Sequence, residues 1–195
     1  EVATYAARHR LRSSGADAGS NRRRTAPHFH LTTGRTMNPN QANALRELVH
    51  SQPIAALGTL HEGRPFVSMV PFALLPDATG WVIHVSHLAS HTKDMLSHPD
   101  VSMLVVAPLA PGASALSLPR LTVQGTAQAC DESSPVYATA RAAYVERLPD
   151  SAEMFEFADF QLFVVRPSVA RFVGGFARAS TVAAGALAQA LRKEQ

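Results

Sequence analysis

Seven short apolar runs recur between turn-forming clusters from Ile54 to Val173, and this spacing limits the fold more than any other feature of the chain. The runs are Ile54–Leu60, Phe66–Leu75, Trp81–Ser86, Val101–Ala107, Arg120–Ala129, Phe160–Arg166 and Val169–Val173. They are rich in β-branched and aromatic residues and bounded by Gly, Pro, Asp and Ser, which is the signature of strands. Phe66–Leu75 alternates, with Phe66, Ser68, Val70 and Phe72 on one face and Val67, Met69 and Pro71 on the other. Pro71 cannot donate to a ladder, so this strand is expected at an edge or bulged there. Gly125 inside the fifth run marks a bulge or a close backbone approach, and Glu62-Gly63 marks a tight turn.

Helical signals are few. Asn38-Pro39 is a cap with proline at the first helical position, and Ala42, Leu45, Leu48 and Val49 form a stripe that stops before Pro53. Further short helices are expected over 90–97, from Ser134-Pro135 to Glu146, and over 152–157, and the alanine-rich tail 181–192 reads as a terminal helix. Strands and helices do not alternate as βαβ units, so the expected class is α+β, a mainly antiparallel β-barrel with short flanking helices.

The net charge of +3 is unevenly placed. Residues 1–36 hold seven arginines and two acids, and the remaining 11 basic and 13 acidic residues leave the rest at −2. The basic pI therefore carries no information about a nucleic-acid partner of the folded part. The leader, with Arg22-Arg23-Arg24 and no sustained apolar period, is expected to be disordered. A transit peptide, a basic arm and a translated upstream stretch all fit its composition; helix-start signals directly after Met37 favour the last. The expected division is a leader over 1–36, a folded domain over 37–180 and a tail over 181–195. No apolar run approaches the roughly 18–20 residues of a membrane span. Cys130 is the only cysteine, which excludes an intramolecular disulfide and fits a reducing, cytoplasmic compartment.

One stretch offers chemistry. In Val82–Pro99 (VIHVSHLASHTKDMLSHP) a buried strand runs through a turn into a helix that Pro99 stops. Ser90 reads as the N-cap, and His91, Thr92 and Lys93 place an imidazole, a hydroxyl and an ammonium beside free backbone N–H groups. Helix starts of this kind attract anions. No Gly-x-Ser-x-Gly elbow, Gly-x-Gly-x-x-Gly turn or P-loop occurs, and His87 and His91, four apart, straddle the turn with no acidic partner patterned nearby, so no metal site is expected.

The segments GRPFVSMVPF, WVIHVSHLASHTKDMLSHP, RLTVQG, YVERLPDS, FQLFVVRP and RFVGGFARA together resemble the pyridoxamine-phosphate-oxidase-like FMN-binding split barrels, closest to their haem-utilisation (HugZ-type) branch. The resemblance covers residues 40–180. It implies a six-stranded split barrel that forms a homodimer, with FMN held between the subunits. By position it implies that Ser68, Met69 and Val70 run beside the flavin. Ser86 and Leu88 would lie under the ring and ribityl chain, His91, Thr92 and Lys93 at the phosphate, and Arg120 at a cross-strand polar contact. It assigns no catalytic residue and no metal. Arg147 and Ser151 keep the spacing of the oxidase's substrate-phosphate arginine and serine. Phe176-Ala177-Arg178-Ala179 stands where the oxidase has its substrate arginine and histidine, and no histidine follows His98. The implied function is a flavin-dependent oxidoreductase of unassigned substrate and electron donor. The alternatives are a haem-binding or haem-degrading protein, with His84 or His87 supplying an axial imidazole, and a dimeric binding module that has lost the flavin.

Overall fold

The computed structural model describes residues 37–175 and 179–192. The leader 1–36 and Phe176, Ala177 and Arg178 lie outside the described residues, so the expectations placed on them stay as stated. In chain order the elements are α1 (Pro39–Ser51), β1 (Ile54–His61), β2 (Arg64–Pro71), β3 (Ala73–Leu74), β4 (Trp81–Ser86), α2 (Ser90–Ser97), β5 (Asp100–Val106) and β6 (Arg120–Cys130). They continue with α3 (Tyr137–Arg147), a 3-10 helix (Pro149–Glu156), β7 (Phe160–Val173), β8 (Ala179–Ala183) and α4 (Ala184–Leu191). A single 3-10 turn, Ala115–Ser117, interrupts the Pro- and Ser-rich loop before β6.

All strand pairs are antiparallel, in the order β2-β1-β5-β6-β7-β4-β3, with β8 added along β7. β2 and β3 stand at opposite ends of this path, yet only Phe72 separates them in the chain. The two ends of the sheet must therefore come together, and the sheet curls into a barrel. The expected strand Phe66–Leu75 is broken at that residue. Pro71 ends the β1 ladder, and the Phe72 N–H turns away to donate to the Pro53 carbonyl (3.0 Å).

The α+β class and the antiparallel barrel agree with the sequence, and the strand count among the described residues rises to eight. Besides the break at Phe72, two differences have local causes. The runs ending at Arg166 and starting at Val169 join into one strand, because Pro167 lies opposite a bulge at Gln124/Gly125 and is not asked for a regular ladder bond. A Cβ on Gly125 would lie 2.3 Å from the Arg166 carbonyl oxygen, so the close approach requires glycine. The first part of the expected tail helix instead pairs as β8 with β7, and α4 begins only at Ala184. At the β1–β2 hairpin Glu62 and Gly63 both take positive φ (51° and 75°), as a tight primed turn demands. Asn38 caps α1 as expected, accepting from the Gln41 N–H (2.9 Å).

Inward residues of β1, β2, β5, β6 and β7 form the main core with α1 and α4, including Leu45, Leu57, Phe72, Met103, Leu121 and Phe172. Phe72 stacks on Trp81 (centroids 4.8 Å apart), so both are core residues. A second, smaller core lies under α3, where Val82, Leu162, Val164 and the buried free Cys130 meet Ala140 and Tyr144. No described helix is long and apolar enough to cross a membrane.

Candidate functional site

The strand-to-helix turn after β4 is tightly self-bonded. Ser86 Oγ donates to Asp159 Oδ2 (2.8 Å) and accepts from the Leu88 N–H (3.1 Å). Thr92, fully buried, donates its hydroxyl to the Ser86 carbonyl (2.7 Å). Ala89, and not Ser90, is the N-cap of α2, and no side chain caps the helix. The Ser90 hydroxyl thus makes none of the expected capping bonds, because the helix starts one residue earlier and Ser90 is already its first residue. The N–H groups of Ser90 and His91 have no partner among the described residues. Lys93 is exposed and His91 half-buried, its imidazole held below the usual histidine value by burial, against the pull of the Asp94 carboxylate.

The other residues singled out divide between two faces of the sheet. Cross-strand pairing sets Ser68 opposite Leu57 and Val70 opposite Ala55, facing inward, and Met69 opposite Ala56, facing outward. Ser68 Oγ is buried without a hydrogen-bond partner. Arg120 starts β6 opposite Val106 and Val173, half-buried, and donates to the Leu118 carbonyl (3.2 Å). Leu88 is exposed at the turn.

Asp94, in the second turn of α2, was not signalled by any motif. Only 5% exposed, it accepts from Thr59 Oγ1 (2.8 Å) and from His61 Nδ1 (2.9 Å), tying α2 to β1. Burial pushes its carboxyl up, but the hydrogen bonds from His61 and Thr59 and the nearby imidazoles of His61 and His91 outweigh this and leave it below the usual aspartate value. A signal did exist. Ala55, Leu57 and Thr59 alternate inward along β1, and a hydroxyl in such a position needs a buried partner. Because an ionised carboxylate only accepts, His61 Nδ1–H is the donor, on a ring that is 45% exposed. The Phe66 ring lies beside it, 5.6 Å between centroids.

Arg147 and Ser151 keep their sequence spacing but spend their polar groups on structure. Arg147 donates to the Val49 and Gln52 carbonyls (2.6 and 2.7 Å), closing the C-terminal end of α1, and its guanidinium lies 4.8 Å over Phe72. Ser151 donates to the Leu148 carbonyl. His84 lies on the other side of β4 from the barrel core, 8% exposed, with its ring parallel to Phe155 at 4.0 Å and flanked by Phe160 and Tyr144. It lines a cavity of about 300 Å³ that His87 also borders. Among the described residues no group of three or more His, Cys, Asp or Glu is placed to hold a metal ion.

The chain is similar to several known proteins. The chain is 35% identical over 119 residues to "Non-canonical heme oxygenase HOZ, chloroplastic" from Arabidopsis thaliana, an alignment covering 61% of this chain and 35% of that protein. It is 27% identical over 135 residues to "Heme oxygenase HutZ" from Vibrio cholerae, covering 69% and 76%. The fold superposes on a heme binding protein from Mycobacterium smegmatis with a TM-score of 0.70 and 29% identity, over 78% of this chain and 62% of that one. This chain thus spans about a third of the plant relative and under two thirds of the mycobacterial one. Residues 42–174 match the family model described as pyridoxamine 5'-phosphate oxidase, and the chain belongs to that family, with haem proteins among its relatives.

Proposed function

We propose that the chain binds haem, and that His61 supplies the imidazole to the iron. The observation that carries this is the His61–Asp94 pair. Metal-bound histidines as a rule donate their second ring N–H to a carboxylate, which fixes tautomer and orientation. Here His61 Nδ1–H donates to a buried carboxylate at 2.9 Å, which leaves Nε2, on a ring 45% exposed, to coordinate. The exposed Phe66, its ring 5.6 Å from that of His61, supplies apolar surface for a macrocycle on the same face. His84 fits the role poorly, since aromatic rings wall it and its cavity is at the small end of ligand sites. Bound haem, held through His61, would supply the redox-active iron for oxygen chemistry. The protein's own part is to orient the His61 ring through the Asp94 carboxylate. The names of the Arabidopsis and Vibrio relatives support haem oxygenation as the reaction served.

Haem titration of the full chain tests this by absorption. A Soret band is expected, and His61→Ala should weaken haem binding by at least about tenfold, with partial rescue by added imidazole. His84→Ala and His87→Ala should leave the band in place. A His61→Ala spectrum identical to wild type would refute the assignment.

One observation favours FMN as a second reading. Ser68 Oγ is buried and unpartnered, on the strand that the resemblance places beside the flavin. With the N–H groups of Ser90 and His91 and the exposed Lys93, it would give polar contacts to a phosphorylated cofactor. Quenching of FMN fluorescence that is lost in Ser68→Ala with Lys93→Ala would support it. The homodimer belongs to the same reading of the fold. Ile54, Leu60, Val67 (68% exposed), Met69 (59%), Leu104 and Val106 share the outward face of β2, β1 and β5, an apolar patch suited to a second copy. Sedimentation of wild type against Val67→Glu/Met69→Glu tests it.

A further inference from the structure

Beside His61 the β1–β2 hairpin holds a cation that nothing in the fold neutralises. Arg64, the first residue of β2, is the direct cross-strand partner of His61. Residues opposite each other in an antiparallel pair project from one face, with Cβ atoms about 4.5–5.5 Å apart. Side chains two apart along a strand share that face as well, which brings in Phe66, and its ring lies 5.6 Å from that of His61. An imidazole, a guanidinium and an aromatic ring thus stand together at the hairpin end of β1 and β2. The tight turn at Glu62 and Gly63, both at positive φ, fixes the register, so the backbone sets the spacing of imidazole and guanidinium.

Arg64 is exposed and makes no hydrogen bond, ion pair or ring contact among the described residues. The acids around it do not answer its charge. Asp94 is buried and taken up by Thr59 and His61, and Glu62 stands in the turn without an ion pair. Water satisfies an exposed guanidinium, so freedom alone carries no message; position does. Arg64 is the only lysine or arginine between Ile54 and Pro71, and it sits one cross-strand step from the imidazole proposed for the iron. Haem is an apolar disc with two carboxylates on its rim. An apolar ring beside an imidazole and a planar cation matches the three parts of that ligand.

We infer that Arg64 is the specificity residue of the haem site: its guanidinium pairs with a haem carboxylate, so the ligand selected is a tetrapyrrole with free, ionised propionates and not its ester. The inference rests on the haem reading of His61. A guanidinium suits the task better than an ammonium, because its rigid fork donates to both oxygens of one carboxylate. The pair would also turn one particular edge of the macrocycle toward the hairpin.

The test crosses one side chain with one change of ligand. Haem and haem dimethyl ester, which lacks the ionised carboxylates, are titrated by absorption into the full chain as wild type, Arg64→Met and Arg64→Lys. Arg64→Met should weaken haem binding by about fivefold, the upper end for an exposed ion pair, and leave the affinity for the ester unchanged. Arg64→Lys should fall between, since the charge stays and the fork is lost. Added salt should reduce the preference for haem over its ester in wild type and have little effect on it in Arg64→Met. The Soret maximum should be the same in all three proteins, because His61 still holds the iron. Unchanged haem affinity in Arg64→Met, or equal weakening of haem and ester, would overturn the inference; if the Soret band is still lost in His61→Ala, the haem reading itself would stand. A wild-type chain without a Soret band, or a band that His61→Ala leaves untouched, would overturn that reading and this inference with it.

Discussion

Replacing Asp94 by alanine should cost about 3 kcal/mol, and the figure follows from three groups. Asp94 and Thr59 are each only 5% exposed, so removing the carboxylate leaves the Thr59 hydroxyl buried without an acceptor. Such a loss, with the charge-assisted bond itself, contributes about 2–3 kcal/mol. The His61 contact adds well under 1 kcal/mol, because that ring is 45% exposed and water can replace the carboxylate. Relief of the desolvated charge offsets part of the total. For a chain of this size the melting midpoint should fall by roughly 6–12 °C. Urea unfolding should show a lower midpoint with an unchanged m-value. Asp94→Asn, whose amide oxygen still accepts one bond, should lose about half as much, and haem affinity in that variant should drop by about tenfold. In a double-mutant cycle Thr59→Val and Asp94→Ala should couple by about 1–2 kcal/mol. The Asp94 carboxyl lies below its ordinary value, so its contribution is present above the unfolded-state pKa and fades as pH falls through the depressed folded one. A cost for Asp94→Ala under about 0.5 kcal/mol, or strict additivity with Thr59→Val, would refute the reasoning.

His84 acts at higher pH and in the same direction. Its folded imidazole titrates near 4 against 6.5 unfolded, so the unfolded chain takes up the proton first, and stability held above pH 6.5 declines toward pH 4. Relative to His84→Gln, wild type should lose about 2–3 kcal/mol between pH 7 and 4.5 in urea titrations, and parallel pH profiles would exclude this. Gly125→Ala forces a methyl to within 2.3 Å of the Arg166 carbonyl oxygen and should destabilise by roughly 2–3 kcal/mol, read as a urea midpoint shift. Arg147→Met keeps an apolar stem over Phe72 but strands the Val49 and Gln52 carbonyls. It should cost about 3 kcal/mol, while a neutral outcome would show that the guanidinium does not close α1.

The strands and their antiparallel class were readable because each short run carries its own turn residues, and Gly125, Pro71 and Glu62-Gly63 announced the bulge, the edge and the hairpin. The strand over Ala179–Ala183 was not readable. Its sequence is small and alanine-rich, and it takes extended form only through pairing with β7, a tertiary effect that overrides weak local preference. The helix start at Ser90–Lys93 was visible as chemistry, but the demand that the Thr92 hydroxyl meets inside the turn was not. Asp94 was hidden for a related reason: the inward Thr59 hydroxyl calls for a buried partner, but nothing in the short helix marks this aspartate as that partner until β1 packs against it. Arg147 shows the converse, a familiar spacing whose guanidinium is taken up by carbonyls nearly a hundred positions away in the chain.

The single residue between β2 and β3 has a consequence for the order in which the chain collapses. The β1–β2 and β3–β4 pairs are both local, and Phe72 joins them without a loop. Bringing the two edges of the future barrel together therefore carries almost no loop-closure entropy. The costly encounters are the distant ones, β1 with β5 and above all β4 with β7, whose partners lie far apart in sequence. The seam where the barrel closes should thus be settled early, as a small four-strand nucleus, and the middle of the sheet should be the last part to zip. A folding transition state with high φ at Val70 and Val82 and low φ at Val164 would show that order.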